Sequence, residues 1–347
     1  MMRRLSAFAL SLLILTASAL SAPSGNRFVD DAGRTIEIPA RIERVMAAGP
    51  PASVLLYVLA PDKMVGWVTA PTEAQKPFIA EPFRSLPAHG RITGRGGTAN
   101  VEAVLSLKPD LIIDVGSVNA TYASLADRVQ TQTGIPYILI DGRFKGSAQT
   151  LRKVGDLIGD RERTEHLVRY AEDAMARLER EIAAVPREKR PRVYYGRDPN
   201  GLETGLAGSI NMEVLDAVGA INVAESAGSG GLANVSLEQV LSWNPDVIIT
   251  LDPTFQRSVQ HDTLWASIAA VHNGRVHRAP TLPFGWFDSP PGINRLMSVF
   301  WLAAVLYPDT LHGDLRQEAR AFYRLFYHVE LSDADLDVLL ADVQGYR

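Results

Sequence analysis

The sequence of 347 residues contains no cysteine. This absence excludes a disulfide framework, a thiolate nucleophile, and any zinc or iron-sulfur site that depends on cysteine ligands. It also excludes anchoring through a lipid-modified N-terminal cysteine. Stability must therefore come from burial of apolar side chains, and an apolar content of 46% supports cores of full size.

The sequence also lacks a concentration of positive charge. Lys and Arg total 35 against 39 for Asp and Glu, which gives a formal net charge of -4, and no run of basic residues occurs. Nucleic-acid phosphates are bound by a concentrated basic face. We therefore do not expect nucleic acid as a partner.

Motifs of metal-dependent and hydrolytic enzymes are missing as well. The seven histidines are scattered, at positions 89, 166, 261, 272, 277, 312 and 328, without H-E-x-x-H or a carboxylate-backed spacing. No G-x-S-x-G precedes a suitable helix, and no pair of carboxylates is singled out as an acid and a base. We therefore expect no catalytic residue, no bound metal and no cofactor, in a protein that holds a ligand without transforming it.

Long apolar runs are rare, and the notable one stands at the start. Residues 1–21 begin with two arginines after the methionines, continue with an apolar run from Leu5 to Ala17, and end in small residues. This is the pattern of a cleaved export signal, and the run is shorter than the roughly 20 residues that span a bilayer. We predict a periplasmic protein whose mature chain of about 326 residues carries a charge near -6 and suits two domains.

One segment of fifteen residues occurs twice. VEAVLSLKPDLIIDV at residues 101–115 and LEQVLSWNPDVIITL at residues 237–251 share eight identical residues at a constant offset of 136. Each copy predicts the end of an amphipathic helix, a Pro-Asp turn and a buried strand. The repeat therefore predicts two similar lobes with a cleft between them.

The rest of the chain alternates strands with helices, which is typical of parallel sheets. Apolar residues spaced three and four apart predict one helix from Arg161 to Val185, capped by Asp160 and about 37 Å long. We predict an α/β fold of two Rossmann-like lobes, each a mainly parallel sheet flanked by helices, joined by this one long spanning helix. Residues 22–146 form the N-terminal lobe, 147–190 the connecting helical segment and 191–347 the C-terminal lobe.

Parallel α/β sheets bind ligands beyond the carboxyl ends of their strands. Candidate ligand residues therefore follow predicted strands or begin predicted helices, where aromatic rings provide apolar walls and arginines provide forked donors. The candidates are Pro50, Trp67, Arg95, Ser117 and Asn119 in the first lobe and Tyr195, Arg197, Ser209, Phe255 and Trp286 in the second. The alternative is structural: the tryptophans can be core residues, and the arginines can be solvated loop charges.

Several segments together resemble a known family. The export signal, FVDDAGRTIEIPARIERV, the two Pro-Asp segments and the connecting helix look like the periplasmic substrate-binding proteins of ABC importers for iron-siderophores, haem and cobalamin. The resemblance implies a bilobal monomer with a shallow cleft that delivers a small molecule to an ABC transporter membrane permease. Relatives dock on the permease through one acidic residue near the tip of each lobe, which by position would be Glu81 and Glu225.

The late segment GWFDSPPGINRLMSVFWLAAVLYP is similar to a branch of that family described as binding iron complexes or metal chelates. We expect a ferric chelate, with Arg95 and Arg197 facing its oxygens and Trp67, Tyr195 and Trp286 lining its organic part. Three alternatives remain open. They are a molybdate or tungstate oxyanion held near Ser117 and Ser209, haem or cobalamin, and a secreted enzyme on the same two-lobe plan.

Overall fold

A computed structural model describes residues 26–94, 100–308 and 314–341. The predicted export signal lies outside these ranges. The strands are β1 (Asn26–Val29), β2 (Thr35–Ile38), β3 (Val45–Ala47), β4 (Leu111–Gly116), β5 (Tyr137–Asp141), β6 (Arg192–Gly196), β7 (Glu203–Gly205), β8 (Ile221–Asn222), β9 (Leu232–Asn234), β10 (Val247–Thr250) and β11 (Val276–Arg278).

The helices connect these strands and cover their faces. They are α1 (Pro50–Leu59), α2 (Val101–Leu107), α3 (Ala120–Thr133), α4 (Ser147–Ile158), α5 (Arg161–Ala183), α6 (Glu213–Ala217), α7 (Leu237–Trp243), α8 (Pro253–Val259), α9 (Ala269–His272), α10 (Leu296–Leu306), α11 (Leu315–Tyr327) and α12 (Asp333–Leu339). Within the described ranges, none of these helices is apolar over a length that would cross a bilayer.

Each lobe contains one parallel sheet, as predicted. The first has the strand order β3-β4-β5, and the second has the order β11-β10-β6-β8. The strand of the repeated segment, β4 or β10, is paired on both sides in its sheet. A strand in that position is covered by helices on both faces, which explains the uninterrupted apolar run in each copy. The chain therefore has the predicted α/β architecture of two lobes.

The turn before the repeated strand is built in the same way in both lobes. The Asp110 carboxylate accepts hydrogen bonds from the backbone N–H groups of Glu43 and Arg44, at 2.8 and 2.9 Å. The Asp246 carboxylate accepts one from the N–H of Arg192 at 2.9 Å. In each lobe the guanidinium group of the arginine also donates to backbone carbonyl groups at the end of the repeat's helix, just before the Pro-Asp turn. The two Pro-Asp turns are thus structurally equivalent, as the repeat requires.

Both helices of the repeat end in a residue with left-handed backbone conformation. The φ angle is 46° at Lys108 and 43° at Asn244. Asparagine tolerates this region better than lysine does, because its short polar side chain can bond locally. Lys108 therefore carries a conformational cost that its counterpart in the second lobe largely avoids.

Replacing Lys108 by glycine is expected to stabilise the protein by about 1 kcal/mol, because glycine adopts positive φ without steric cost. Lys108→Ala is the matched control, since it removes the same side chain but keeps the Cβ atom that causes the cost. Urea unfolding of the three proteins measures the difference. If alanine stabilises as much as glycine, the effect comes from the lysine side chain and not from its backbone.

The connecting helix lies where the sequence predicts it. α5 begins at Arg161, and the side chain of Asp160 caps it by accepting a hydrogen bond from the N–H of Arg163. It ends at Ala183, two residues before the predicted end. α5 packs closely on α4, because a Cβ atom at Gly155 would lie 2.3 Å from the side chain of Thr164. The connecting segment is therefore a pair of packed helices and not an isolated rod.

The two lobes share part of their core. One apolar cluster joins one face of each sheet to the apolar sides of α5, α10 and α11, while the opposite faces have clusters of their own. The late helix α11 returns to the first lobe, where the Tyr57 hydroxyl donates to the carbonyl of Tyr327. Part of the range 191–347, predicted as the C-terminal lobe, thus packs on α1 of the first lobe.

The sequence MVGWV at residues 64–68 predicts a short strand, and this prediction is wrong. Residues 64–68 form isolated bridges, Val45 to Met64 and Trp67 to Ala88, and not a continuous strand. The backbone of Gly66 approaches the carbonyl of Pro87 so closely that a Cβ atom there would lie 2.4 Å from its oxygen. The chain therefore leaves the sheet at this glycine, and the segment passes along the edge of the first lobe.

Candidate functional site

A cavity of about 810 Å³ lies between the two lobes, at the carboxyl ends of their strands. The first lobe contributes the end of β4 and the start of α1. The second lobe contributes the residue that follows β6 and the loop from Pro283 to Pro291. Such a crevice is where a parallel α/β protein binds its ligand.

The start of α1 forms an apolar part of the cavity wall. Pro50 and Pro51 are the first two residues of the helix, and both line the cavity. Proline has no backbone N–H group, so two of the donors that a helix start usually offers to an anion are missing. This helix start therefore presents ring carbons to a ligand.

A buried carboxylate organises the wall in the second lobe. Asp288 has no solvent exposure. Its carboxylate accepts hydrogen bonds from the hydroxyl of Tyr195 at 3.0 Å, from Nε of Arg197 at 2.9 Å, and from the side-chain amide of Asn211 at 2.8 Å. Three side chains from different segments are thereby held in fixed positions, and two of them, Arg197 and Asn211, line the cavity.

Arg197 is fixed by two carboxylates. Its Nε donates to Asp288, and its Nη1 donates to Glu203 at 2.6 Å. Burial by itself lowers the pKa of Arg197, but the charge of Asp288 and the hydrogen bonds to both acids outweigh this, so the pKa is raised. Among the described residues, no partner is seen for Nη2. The side chain therefore offers a preoriented cationic donor to the cavity.

The first lobe contributes a buried carboxyl group, Asp114, which also lines the cavity. Oδ1 accepts a hydrogen bond from the hydroxyl of Thr93 at 2.9 Å, and Oδ2 accepts one from that of Tyr137 at 3.1 Å. Burial raises the pKa of Asp114 to about 6, although these hydrogen bonds act in the opposite direction. A cleft carboxyl with a shifted pKa is a candidate functional group.

Sequence reasoning missed Asp114, although a signal was present. Asp114 interrupts the apolar strand LIIDV, and acidic residues are rarely found buried unless they are paired. The second copy of the repeat has Thr250 at the equivalent position, fully buried. An acid that replaces a neutral residue inside a repeated buried strand is thus the observation that could have identified this site.

Four of the predicted ligand residues line the cavity: Pro50, Trp67, Ser117 and Arg197. Trp67 is almost fully buried, and its indole N–H donates to the carbonyl of Phe83 at 2.8 Å. Its one polar atom therefore already has a partner, and the ring contributes apolar surface to the wall. Arg95 lies outside the described residues, immediately after the lining residue Gly94.

Three predicted aromatic residues lie in the cores and not among the lining residues. Tyr195 is fully buried and reaches the site only through Asp288. Trp286 is fully buried, and its indole N–H donates to the hydroxyl of Tyr323 at 3.1 Å. Phe255 packs against Trp265 with ring centroids 4.9 Å apart. These residues therefore belong to the protein core and do not form the surface of the cavity.

Asn119 and Ser209 are also outside the lining. Asn119 caps α3, since its side chain accepts hydrogen bonds from the N–H groups of Thr121 and Tyr122. Ser209 is buried, and its hydroxyl donates to the side-chain oxygen of Asn211 at 3.2 Å. Both polar side chains therefore already have partners within the protein.

The two acidic residues predicted for permease docking are exposed. Glu81 forms an ion pair with Arg84 at 2.7 Å. Glu225 lies in the short 3-10 helix Val223–Ala227, which precedes β9 in the chain and lies beside the antiparallel β7–β9 pair. Burial and the charge of Asp216 raise the pKa of Glu225. Glu81 lies on the first lobe and Glu225 on the second.

Comparisons with known proteins give consistent results. The sequence profile of the family described as periplasmic binding protein matches residues 53–281. The solved structure of an ABC transporter solute-binding protein from Sulfurospirillum deleyianum aligns with a TM-score of 0.82 at 30% identity, over 91% of this chain and 99% of that chain.

Two curated relatives have named ligands. The molybdate-binding protein MolA of Haemophilus influenzae is 26% identical over 338 residues, which cover 90% of this chain and 94% of that protein. The haem uptake protein IsdE of Staphylococcus aureus is 21% identical over 242 residues, which cover 65% of this chain and 81% of that protein. Across the part of the chain that the structure describes, no cluster of side chains suits a metal ion. The chain belongs to the class III periplasmic binding proteins of ABC importers.

Proposed function

We propose that this solute-binding protein carries an anionic metal chelate, of the ferric siderophore type, through the periplasm and passes it unchanged to the membrane permease of its importer. The observation that supports this most strongly is the cleft itself, with a volume of about 810 Å³ and a fixed arginine in its wall. Cavities of roughly 300–1,000 Å³ are typical of sites for organic ligands of moderate size. A single tetrahedral oxyanion would leave most of this space to water.

Arg197 supports an anionic ligand. Its Nε and Nη1 atoms are held by Asp288 and Glu203, so the remaining donor loses little freedom when a ligand binds. Charge-assisted hydrogen bonds to carboxylate or catecholate oxygens are roughly twice as strong as neutral ones. A second arginine, Arg91, lines the same cavity from the first lobe. The cleft therefore has one arginine in the wall of each lobe.

The other walls suit the organic part of a chelate. Trp67 and Phe284 both line the cavity, with ring centroids 5.8 Å apart. The prolines at the start of α1 and in the loop from Pro283 to Pro291 add further apolar surface. Apolar walls combined with a few oriented polar groups are typical of small-molecule sites.

The helix starts near the cleft are poor oxyanion sites. The side chain of Asn119 accepts hydrogen bonds from the first free N–H groups of α3, and the side chain of Asp252 does the same for α8. α1 begins with two prolines. Molybdate is nevertheless the second candidate, because MolA is similar to this chain over nearly its whole length. If molybdate binds, Ser117 and Arg197 are donors that line the cavity on the two lobes.

Tryptophan fluorescence provides a direct test, because Trp67 lies in the cavity wall. We expect quenching by at least one ferric chelate with a dissociation constant below about 10 μM. Molybdate, tungstate, haem and cobalamin are titrated in parallel, and a Trp67→Phe variant controls for quenching of the other tryptophans. Tight binding of molybdate without binding of any ferric chelate would favour the second candidate and overturn the first.

Replacing Arg197 by methionine is expected to weaken binding of the ferric chelate by about 10- to 100-fold, because a charge-assisted hydrogen bond is lost. Arg197→Lys keeps the charge but lacks the planar guanidinium group. We therefore expect its affinity to lie between those of the unmodified protein and of Arg197→Met. Arg128→Met, at an exposed position on α3, is the control and should bind as the unmodified protein does. Calorimetric titration measures all four proteins. Equal affinities for Arg197→Met and Arg128→Met would contradict the assigned role.

A further inference from the structure

Arg295 is a fully buried arginine at the base of the cleft, between the two lobes. Its Nη1 donates to the carbonyl of Ile210, a residue that lines the cavity. Its Nη2 donates at 3.1 Å to the carbonyl of Gly142, which follows β5 in the first lobe. One guanidinium group therefore bonds to both lobes directly below the ligand site.

Glu213 of α6 completes this contact. Its Oε2 lies 3.4 Å from Nη2 of Arg295 and accepts a hydrogen bond of 2.8 Å from the backbone N–H of Phe144. The guanidinium carbon also lies 5.6 Å from the centre of the Phe144 ring. We call Arg295 and Glu213, together with their partners Gly142, Phe144 and Ile210, the interlobe tie.

The first-lobe side of the interlobe tie cannot easily shift. A Cβ atom at Gly142 would lie 2.8 Å from the backbone nitrogen of Gly116, and the N–H of Gly142 donates to the Gly116 carbonyl at 2.9 Å. Gly116 ends β4 and lines the cavity. The position of the Gly142 carbonyl is therefore set by the sheet of the first lobe.

Stability alone is a poor explanation for a buried arginine here. Burial of a guanidinium group costs several kcal/mol, and apolar replacements of buried ion pairs are often equally or more stable. Burial lowers the pKa of Arg295, while the nearby charges of Glu213 and Asp288 act in the opposite direction. What the arginine adds over an apolar residue is a set of directional bonds, and these bonds join parts of the two lobes.

We propose that the interlobe tie holds the empty cleft at a narrow opening, which makes Arg295 a positioning residue for ligand binding. If the tie is broken, the ligand-free lobes separate further, and the conformation that contacts a ligand from both sides becomes less populated. The apparent dissociation constant then rises by the same factor by which the population of that conformation falls. The proposal rests on the two-lobe binding function and is independent of which chelate or oxyanion is carried.

The test measures the distance between the lobes in the ligand-free protein. Because the chain has no cysteine, two can be introduced for spin labels, at the exposed residues Thr121 on α3 and Thr254 on α8. Pulsed electron paramagnetic resonance then gives the distance distribution. We expect Arg295→Met to increase the mean distance by more than about 2 Å, the size of a rearrangement and not of a side-chain adjustment.

Two further variants make the result decisive. Arg320→Met removes a partly buried arginine whose bonds, to the carbonyl of Leu331 and to the carboxylate of Asp333, stay within residues 191–347, and it should leave the distance unchanged. Glu213→Gln removes one charge from the interlobe tie and should increase the distance by a smaller amount. Circular dichroism establishes that each variant is folded, and if Arg295→Met is not, Glu213→Gln carries the test. A folded tie variant with an unchanged distance distribution overturns the proposal, whatever ligand the fluorescence titrations identify.

Discussion

Replacement of Asp288 by alanine is expected to lower the free energy of unfolding by about 3–5 kcal/mol. Asp288 is fully buried, and its carboxylate accepts hydrogen bonds from Tyr195, Arg197 and Asn211. Truncation leaves a largely buried cation and two buried polar groups without their acceptor. Unfolding in guanidinium chloride measures the loss. The dependence of the unfolding free energy on denaturant concentration should be the same in both proteins.

Asp333 is the matched control for this substitution. Its carboxylate too accepts hydrogen bonds from arginine, in this case from Arg316 and Arg320, but its side chain is 81% exposed. Ion pairs between exposed side chains contribute little to stability, so Asp333→Ala should have a small effect. If the two alanine variants lose equal stability, the buried network around Asp288 does not have the role that we assign to it.

Replacement of Asp114 by asparagine is expected to stabilise the protein at pH 8 and to have little effect near pH 4. Burial raises the pKa of Asp114 from 3.8 in the unfolded chain to about 6 in the fold. The stability contributed by the protonated carboxyl is fully present below pH 3.8 and is lost as the pH rises through 6. At pH 8 the buried carboxylate therefore costs up to about 3 kcal/mol, which asparagine avoids.

Urea unfolding of both proteins between pH 4 and pH 8 tests this dependence. The difference in stability should grow with pH and level off above about pH 7. Asp110→Asn is the control and should have a small effect, because both backbone N–H groups donate to Oδ2 alone and the amide oxygen of asparagine can accept both. A difference between Asp114→Asn and the unmodified protein that does not vary with pH would show that Asp114 keeps an ordinary pKa.

The two-lobe fold could be predicted because its signal is local and occurs twice. The Pro-Asp turn and the apolar strand that follows it are each encoded in about ten consecutive residues, and the structure places both copies in equivalent positions, at Asp110 and Asp246. The connecting helix was predictable for the same reason, since its apolar spacing and its Asp160 cap lie within one segment.

The composition of the cavity wall was harder to predict, because it depends on which face of a strand meets the cleft. Tyr194 and Tyr195 are consecutive, so their side chains point to opposite sides of β6, and both are buried. Aromatic residues at strand ends serve the core as readily as a ligand site. Phe255 and Trp286 show this, since each packs against other aromatic rings.

The wall residues that sequence reasoning missed come from distant loops. Asn211, Phe284 and Arg91 line the cavity, but no local pattern places them there. Their positions follow from tertiary contacts, such as the hydrogen bond from Asn211 to Asp288 across 77 residues of sequence. Burial of an acid inside an apolar strand, as at Asp114, is the one exception that a sequence can reveal.

The most direct test of the binding function is native mass spectrometry of the protein isolated from its own cell envelope, combined with metal analysis of the same sample. We predict a retained iron-containing organic molecule that is released on unfolding and is recovered without chemical change. A retained molybdenum or tungsten oxyanion, or an organic ligand without metal, would contradict the assignment of an anionic metal chelate to this cleft.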